Sequence, residues 1–341
     1  MPNNEVQNRI LKRRTPVNAA LTNISTAYFQ KLTGGATSFF PEVPVDVSTD
    51  IYYKFSKEDL LRDDVQRKPM LGKVDATVIG YDTDTYRCEP DQVILGYDDL
   101  YQSDLERKGA KGILRLRQNK SRIIAEKIFI HQNKDFAKGF FRKGVWGEDL
   151  IGGASASTSG VDFVSFDNSN SDPIGYITDC ITSMKKSTGR IPNKLGLGQR
   201  VFDALIKHPD IMNRIIYGGT ADNPATVTTK ALATILGVDE VIVFDAIWNS
   251  ANLGEEANMG FVCDENAMLL AYATNTPMID EATAGYTFRW DMGTESTLPI
   301  IEWEGEEGTY SHYIGGMVSQ DMKVICKDLG MYFSNAVTPK E

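Results

Sequence analysis

Two glycines, Gly196 and Gly198, lie in PNKLGLGQRVFDALIKHPDIMNRI, just ahead of a segment with helical spacing. This is where a dinucleotide-binding fold would hold a pyrophosphate. That chemistry needs a third small residue, so that the helix can approach the strand, but the third position here is Val201. The acidic ribose ligand expected about 20 residues further on also lacks a βαβ setting, since the chain there reads YGGTADNPATVTT. Other candidate chemistry fails in similar ways. In IEWEGEEG, Glu302, Glu304, Glu306 and Glu307 suggest acid–base work or a hard-cation site. Glu302 and Glu304, however, alternate with Ile301 and Trp303 as the solvent face of a half-buried strand does. The Asp167, Ser169 and Ser171 alternation is not a calcium loop, because its sixth position is Asp172 and its closing position Thr178.

No serine lies in G-x-S-x-G, and KGAKGILR lacks the G-K-[ST] of a phosphate loop. His208, in IKHPD, reads as a capping or packing residue. Cys88, Cys180, Cys263 and Cys326 are far apart, and with His131, His208 and His312 they form no C-x-x-C, H-x-x-x-H or H-E-x-x-H spacing. Buried structural thiols in a reducing compartment are expected. The sequence predicts no catalytic residue, cofactor or metal.

The elements that would have to position any site suggest another role. A chain of 341 residues predicts two compact bodies with appendages. With 46 Asp and Glu against 36 Lys and Arg, a surface built to grip nucleic acid over its whole area is excluded. The start, MPNNEVQNRILKRRTP, has no apolar stretch behind its basic residues, and the longest apolar run, Ala267 to Ala273, is too short to span a bilayer.

Residues 1–45 read as an extended arm with one short helix and little core of its own. DIYYKF, KVDATVIGY and TDTYRCE read as strands of a long hairpin, with EDLLRDDVQRKPMLG as its charged, projecting tip. A long helix is predicted from Asp98 to about Phe141, with Ile113, Leu116, Ile123, Ile124 and Ile128 on one face and a solvated basic face opposite. A second helix runs from Pro173 to Thr188, capped by Asp172 and ended by Gly189. Then follow strand KLGLG, a helix from about Arg200 to Ile215, a short helix TKALATILG, and strands EVIVFDAIW and AMLLAYA. Long strands fill the chain from about Thr283. The fold class is α+β.

DPIGYITDCITSMKKSTGRIPNKLGLG followed by QRVFDALIKHPDIMNRI, EKIFIHQNKDFAKGFF with VWGED after it, and ATILGVDEVIVFDAIWN carry a family resemblance. The chain resembles the major capsid proteins of tailed bacteriophages, with the Hong Kong 97 (HK97-like) coat-protein fold. The resemblance implies an N-terminal arm at 1–45 and an extended β-hairpin loop at 46–97. It implies a peripheral domain with a long spine helix at 98–168 and 281–325, and an axial α/β domain at 169–280 and 326–341. It further implies self-assembly into pentamers and hexamers of an icosahedral head around double-stranded DNA, in a virion assembled in the host cytoplasm. The implied partners are a separate scaffolding protein, a portal, a decoration protein, and packaged DNA through weak non-specific contact, with no membrane. Subunit contacts are expected at Lys57, Arg62, Arg67, Lys68 and Lys73 of the loop tip and at Arg13 and Arg14 of the arm. Lys54, Lys57, Lys68 and Lys73 are available for the loop cross-links some family members form, but no residue match points to that chemistry. An encapsulin-type compartment shell and, less supported, a nucleotide-binding α/β enzyme are the alternatives.

Overall fold

The computed structural model describes residues 35–55, 61–68, 70–74, 80–98, 110–155, 159–218, 228–252, 254–274, 282–292 and 298–339, with Ser103 and Arg107. A 3-10 turn, Ala36–Ser38, precedes strands β1 (Glu42–Val45), β2 (Thr49–Phe55), β3 (Tyr81–Arg87) and β4 (Glu89–Asp98). The long helix α1 (Ala110–Gly139) leads to β5 (Glu148–Gly153), β6 (Phe163–Val164), α2 (Pro173–Thr188) and β7 (Lys194–Gly198). Helices α3 (Gln199–Lys207), α4 (Pro209–Gly218) and α5 (Thr229–Leu236) follow, then β8 (Glu240–Phe244), β9 (Ile247–Asn249), β10 (Met259–Phe261) and β11 (Met268–Ala271). The described chain closes with β12 (Gly285–Trp290), β13 (Ile300–Glu304), β14 (Ser311–Val324) and β15 (Gly330–Ser334).

Local chemistry sets several of these boundaries. Helix α2 begins where Asp172 Oδ1 accepts the Gly175 N–H at 2.8 Å and stops where Gly189 turns left-handed at φ 70°. The single helix predicted from Arg200 to Ile215 is instead two. Pro209 pushes His208 out of the helical region to ψ 131°, ending α3 one residue before α4 starts. On α1, Ile124, Ile128 and Phe136 are buried, but Ile123 turns toward solvent and does not share their face, and the Ile113 side chain lies outside the described residues.

The six-stranded sheet has the order β6-β5-β15-β11-β7-β8, with β11 antiparallel to both of its neighbours. Both of its faces are covered. Leu195, Leu197, Met268, Leu270 and Phe333 pack under the helices on one side. Phe244, Leu269, Ala271 and Tyr332 pack against Phe39, Phe40, Phe136 and Phe140 on the other. Two-sided burial is why these strands read as unbroken apolar runs. Residues 148–164, grouped by the sequence reading with the peripheral part, pair into this sheet through β5 and β6.

The five-stranded sheet is organised by β14, which takes β4 along one edge and β13 and then β12 along the other, while β1 pairs parallel with β12. Helix α1 covers one face through Ile124, Ile128, Ile300, Ile314 and Val318. A Cβ on Gly316 would lie 2.3 Å from Ile124, so glycine at that point admits the helix. Strands β2 and β3 form a separate hairpin, held at its base by Tyr52 and Tyr86 packed on Phe288.

Candidate functional surfaces

The backbone around Gly196 and Gly198 is already committed. A Cβ at Gly196 would lie 2.5 Å from Phe244 and 3.0 Å from Phe39, and one at Gly198 would lie 2.5 Å from the carbonyl oxygens of Asp264 and Glu265. The Gly198 and Val201 N–H groups donate to Ala267 and Glu265 at 2.9 and 3.3 Å. Donors a phosphate would require are therefore bonded within the chain, and the two glycines serve close packing of a strand-to-helix turn.

His208 is buried in an arrangement that resembles a serine triad in its residues but not in its proton direction. The Asp210 backbone N–H donates to Nδ1 at 3.3 Å, which leaves the ring proton on Nε2, facing Ser171 Oγ at 3.2 Å. Ser171 Oγ in turn donates to the Asn168 carbonyl at 2.7 Å. A hydrolase needs the reverse, a protonated Nδ1 and a free Nε2 lone pair to take the serine proton. This chain of bonds ties the loop before α2 to the α3–α4 break. Burial pushes the thiols up to about 11 at Cys88 and about 12 at Cys180 and Cys263, so these three are unreactive at neutral pH.

Glu302 departs from the solvent-face expectation. It shares the face of Ile300 under α1, accepts the Tyr97 hydroxyl at 2.8 Å and lies 3.3 Å from Arg117 Nε. Burial first, then the hydrogen bond to Glu302, pushes the Tyr97 hydroxyl up to about 12. Glu302 therefore fastens β13 to β4 and α1, and part of the predicted basic helix face is spent inward. Lys120 likewise donates to the Gly96 carbonyl at 3.0 Å.

A cluster the sequence reading missed lies on the other half of α1. His131 Nε2 is 3.1 Å from Asp91 Oδ2 on β4 and 3.3 Å from Asp135 Oδ2. Burial pushes the Asp135 carboxyl above the usual range, with His131 opposing the shift and Asp91 reinforcing it. The His131-x-x-x-Asp135 spacing was visible in the sequence; the third member was not.

Of the residues expected at subunit contacts, Arg62, Arg67, Lys68 and Lys73 are exposed on the segment that joins β2 to β3. Lys57, Arg13 and Arg14 lie outside the described residues. The charges of this tip predict a contact surface, but its apolar side chains are just as exposed: Val65 is 91% exposed, Met70 98% and Leu71 103%. The outer face of the hairpin adds Ile51 and Tyr53. Exposed apolar groups at this density are uncommon on a surface that only meets water.

No family model matches the sequence, and no curated protein matches it. Solved structures do. A phage-related protein from Bordetella bronchiseptica RB50 superposes with a TM-score of 0.67 at 18% identity, over 96% of this chain and 100% of that one. A virus-like particle from Pyrococcus furiosus gives 0.52 at 9% identity, over 92% and 98%. The capsid of cyanophage P-SCSP1u gives 0.51 at 9% identity, over 87% and 86%. The chain has the HK97-like capsid fold, an α+β architecture running through nearly its whole length.

Proposed function

We propose that this chain is a major capsid protein of a tailed bacteriophage, assembling with its own copies into pentamers and hexamers of an icosahedral head that encloses double-stranded DNA. The observation that carries the reading is the superposition on a cyanophage capsid protein over 87% of the chain. In this reading residues 1–45 form the arm, 46–97 the extended loop, 98–168 and 281–325 the peripheral domain, apart from 148–164, which pair into the sheet of the axial domain, and 169–280 with 326–341 the axial domain. The hairpin of β2 and β3, packed on the body at its base through Tyr52 and Tyr86, supports the loop assignment. Its apolar and charged tip supports a role for Arg62, Arg67, Lys68 and Lys73 between subunits, with Lys57, Arg13 and Arg14 extending the contact.

The protein acts without catalysis. A scaffolding protein, a portal and a decoration protein complete the particle, and the net charge of -10 keeps its contact with packaged DNA weak. Assembly takes place in the host cytoplasm, and among the described residues no helix is long and apolar enough to cross a membrane. The likeness to a virus-like particle favours a second reading, a compartment shell enclosing protein cargo. Negative-stain microscopy with a nuclease-protection assay separates the two. Closed particles protecting DNA support the phage head, and closed particles holding protein support the compartment. Small oligomers alone, with scaffold co-expressed, would overturn both.

A further inference from the structure

His131 and Asp135 stand one turn apart on α1, the spacing that brings two side chains to one face of a helix. Asp91 reaches the same point from β4, and the ligand atoms of all three lie within 4.8 Å of one another. A single ring nitrogen faces both carboxylates, at 3.1 and 3.3 Å. That nitrogen carries one proton or one lone pair, so it cannot give a full hydrogen bond to both oxygens. A cation placed between the three would be met by every one of them. The cluster opens onto a groove of about 520 Å³ whose walls include Gln92, Lys127, Lys134, Trp248 and Asn249, leaving room for water to complete a coordination shell. Lys134 does not fill the site, because its Nζ lies over the Trp248 ring at 4.4 Å.

We propose that Asp91, His131 and Asp135 bind one divalent transition-metal ion. One imidazole with two carboxylates is a donor set for zinc or a neighbouring first-row ion, and the nitrogen disfavours magnesium and calcium, which prefer oxygen throughout. The position gives the ion a task. Strand β4 continues from hairpin strand β3 with only Cys88 between them, so the ion clamps the root of the hairpin to the long helix.

The test uses the full-length protein, stripped with a chelator, dialysed and titrated with ZnCl2 under excess MgCl2 by calorimetry. Bound metal is then counted by mass spectrometry. One zinc per chain is expected in the wild type, with a thermal midpoint that rises on zinc addition. His131→Ala and Asp135→Asn should each remove that equivalent and the zinc-dependent rise while leaving the circular dichroism spectrum unchanged. Absence of zinc uptake by the wild type overturns the proposal. So does retention of the equivalent by Asp135→Asn, the near-isosteric variant that decides the matter if His131→Ala does not fold.

Discussion

Residues 35–40 and residues 61–68 with 70–74 are both short, irregular and carry several side chains that prefer to leave water, yet they end at opposite extremes. Ala36 and Phe39 are fully buried and Phe40 is 2% exposed, whereas Met70 is 98% exposed. The first segment fills a gap between α1 and the sheet strands β7 and β8. Phe39 and Phe40 meet Phe136, Phe140, Phe244 and Trp146 edge-on or tilted, with ring centroids 4.5 to 6.2 Å apart. Its backbone is tied as well: Ala36 N donates to Asn133 Oδ1 at 2.8 Å, and the buried Lys194 donates to the Ser38 carbonyl at 3.2 Å. The second segment sits at the end of a two-stranded hairpin, too narrow to bury anything against. Segments without a core of their own thus divide by whether the same chain offers them a cavity.

This comparison breaks first, and by the largest margin, if Phe39 proves dispensable. Phe39→Ala should cost the subunit about 3–5 kcal/mol, read as a lowered midpoint in urea denaturation; a loss below ~1 kcal/mol would mean that the segment is not core. Asn133→Ala leaves the buried Ala36 N–H without its acceptor and should cost about 1–3 kcal/mol in the same measurement.

At the tip the expectation reverses. Val65→Ser with Met70→Ser should change subunit stability by no more than ~0.5 kcal/mol yet lower the yield of closed particles in light scattering. Normal particle yield would remove the tip's apolar groups from the interface. Arg67→Glu with Lys68→Glu should impair assembly at low salt and recover as salt rises, since exposed charge contacts are screened; a defect independent of salt would point to shape rather than charge.

The smallest effect concerns acid. The hydrogen bond from Lys54 holds the Asp84 carboxyl down at about 2, below its ordinary 3.8. A depressed folded value means that the contribution is present above about pH 4 and lost as pH falls toward about 2. Amide protection factors in β2 and β3, corrected for the intrinsic pH dependence of exchange, should fall across that window in the wild type, and Asp84→Asn should show the lowered protection already at neutral pH. Equal rates in the two proteins at pH 7 would show that the pair adds nothing to the hairpin.

Much of the fold was legible because its signals are local. The Asp172 cap, the Gly189 stop and the KLGLG strand all follow from residues within a few positions of one another. The α3–α4 break is not visible in the helical periodicity, which continues on either side of His208; only the backbone restriction before Pro209 signals it. Residues 1–45 were read as an arm with little core, and Ala36, Phe39 and Phe40 correct the end of that segment. Their aromatic character hinted at burial, but the gap they fill is built from α1, β7 and β8, which lie far along the chain. For the candidate surfaces, the position of the tip was readable from its charge density, while the exposure of Val65, Met70 and Leu71 required knowing that the hairpin carries no second layer.

The sequence by itself determined several element boundaries, such as those of α2 and β7, that the chain is α+β, and that no familiar reactive motif is present, because each of these depends on side-chain type and spacing over one or two turns. The tertiary structure decided which faces meet. It turned Glu302 inward to Tyr97 and Arg117, used the two glycines of the opening motif for packing, and brought Asp91 on β4 to His131 and Asp135 on α1. Those outcomes hinge on strand register and helix rotation. Register flips every side chain of a strand with a shift of one residue, and it is set by pairings such as Asp91 opposite Val318, which no local reading of either segment contains.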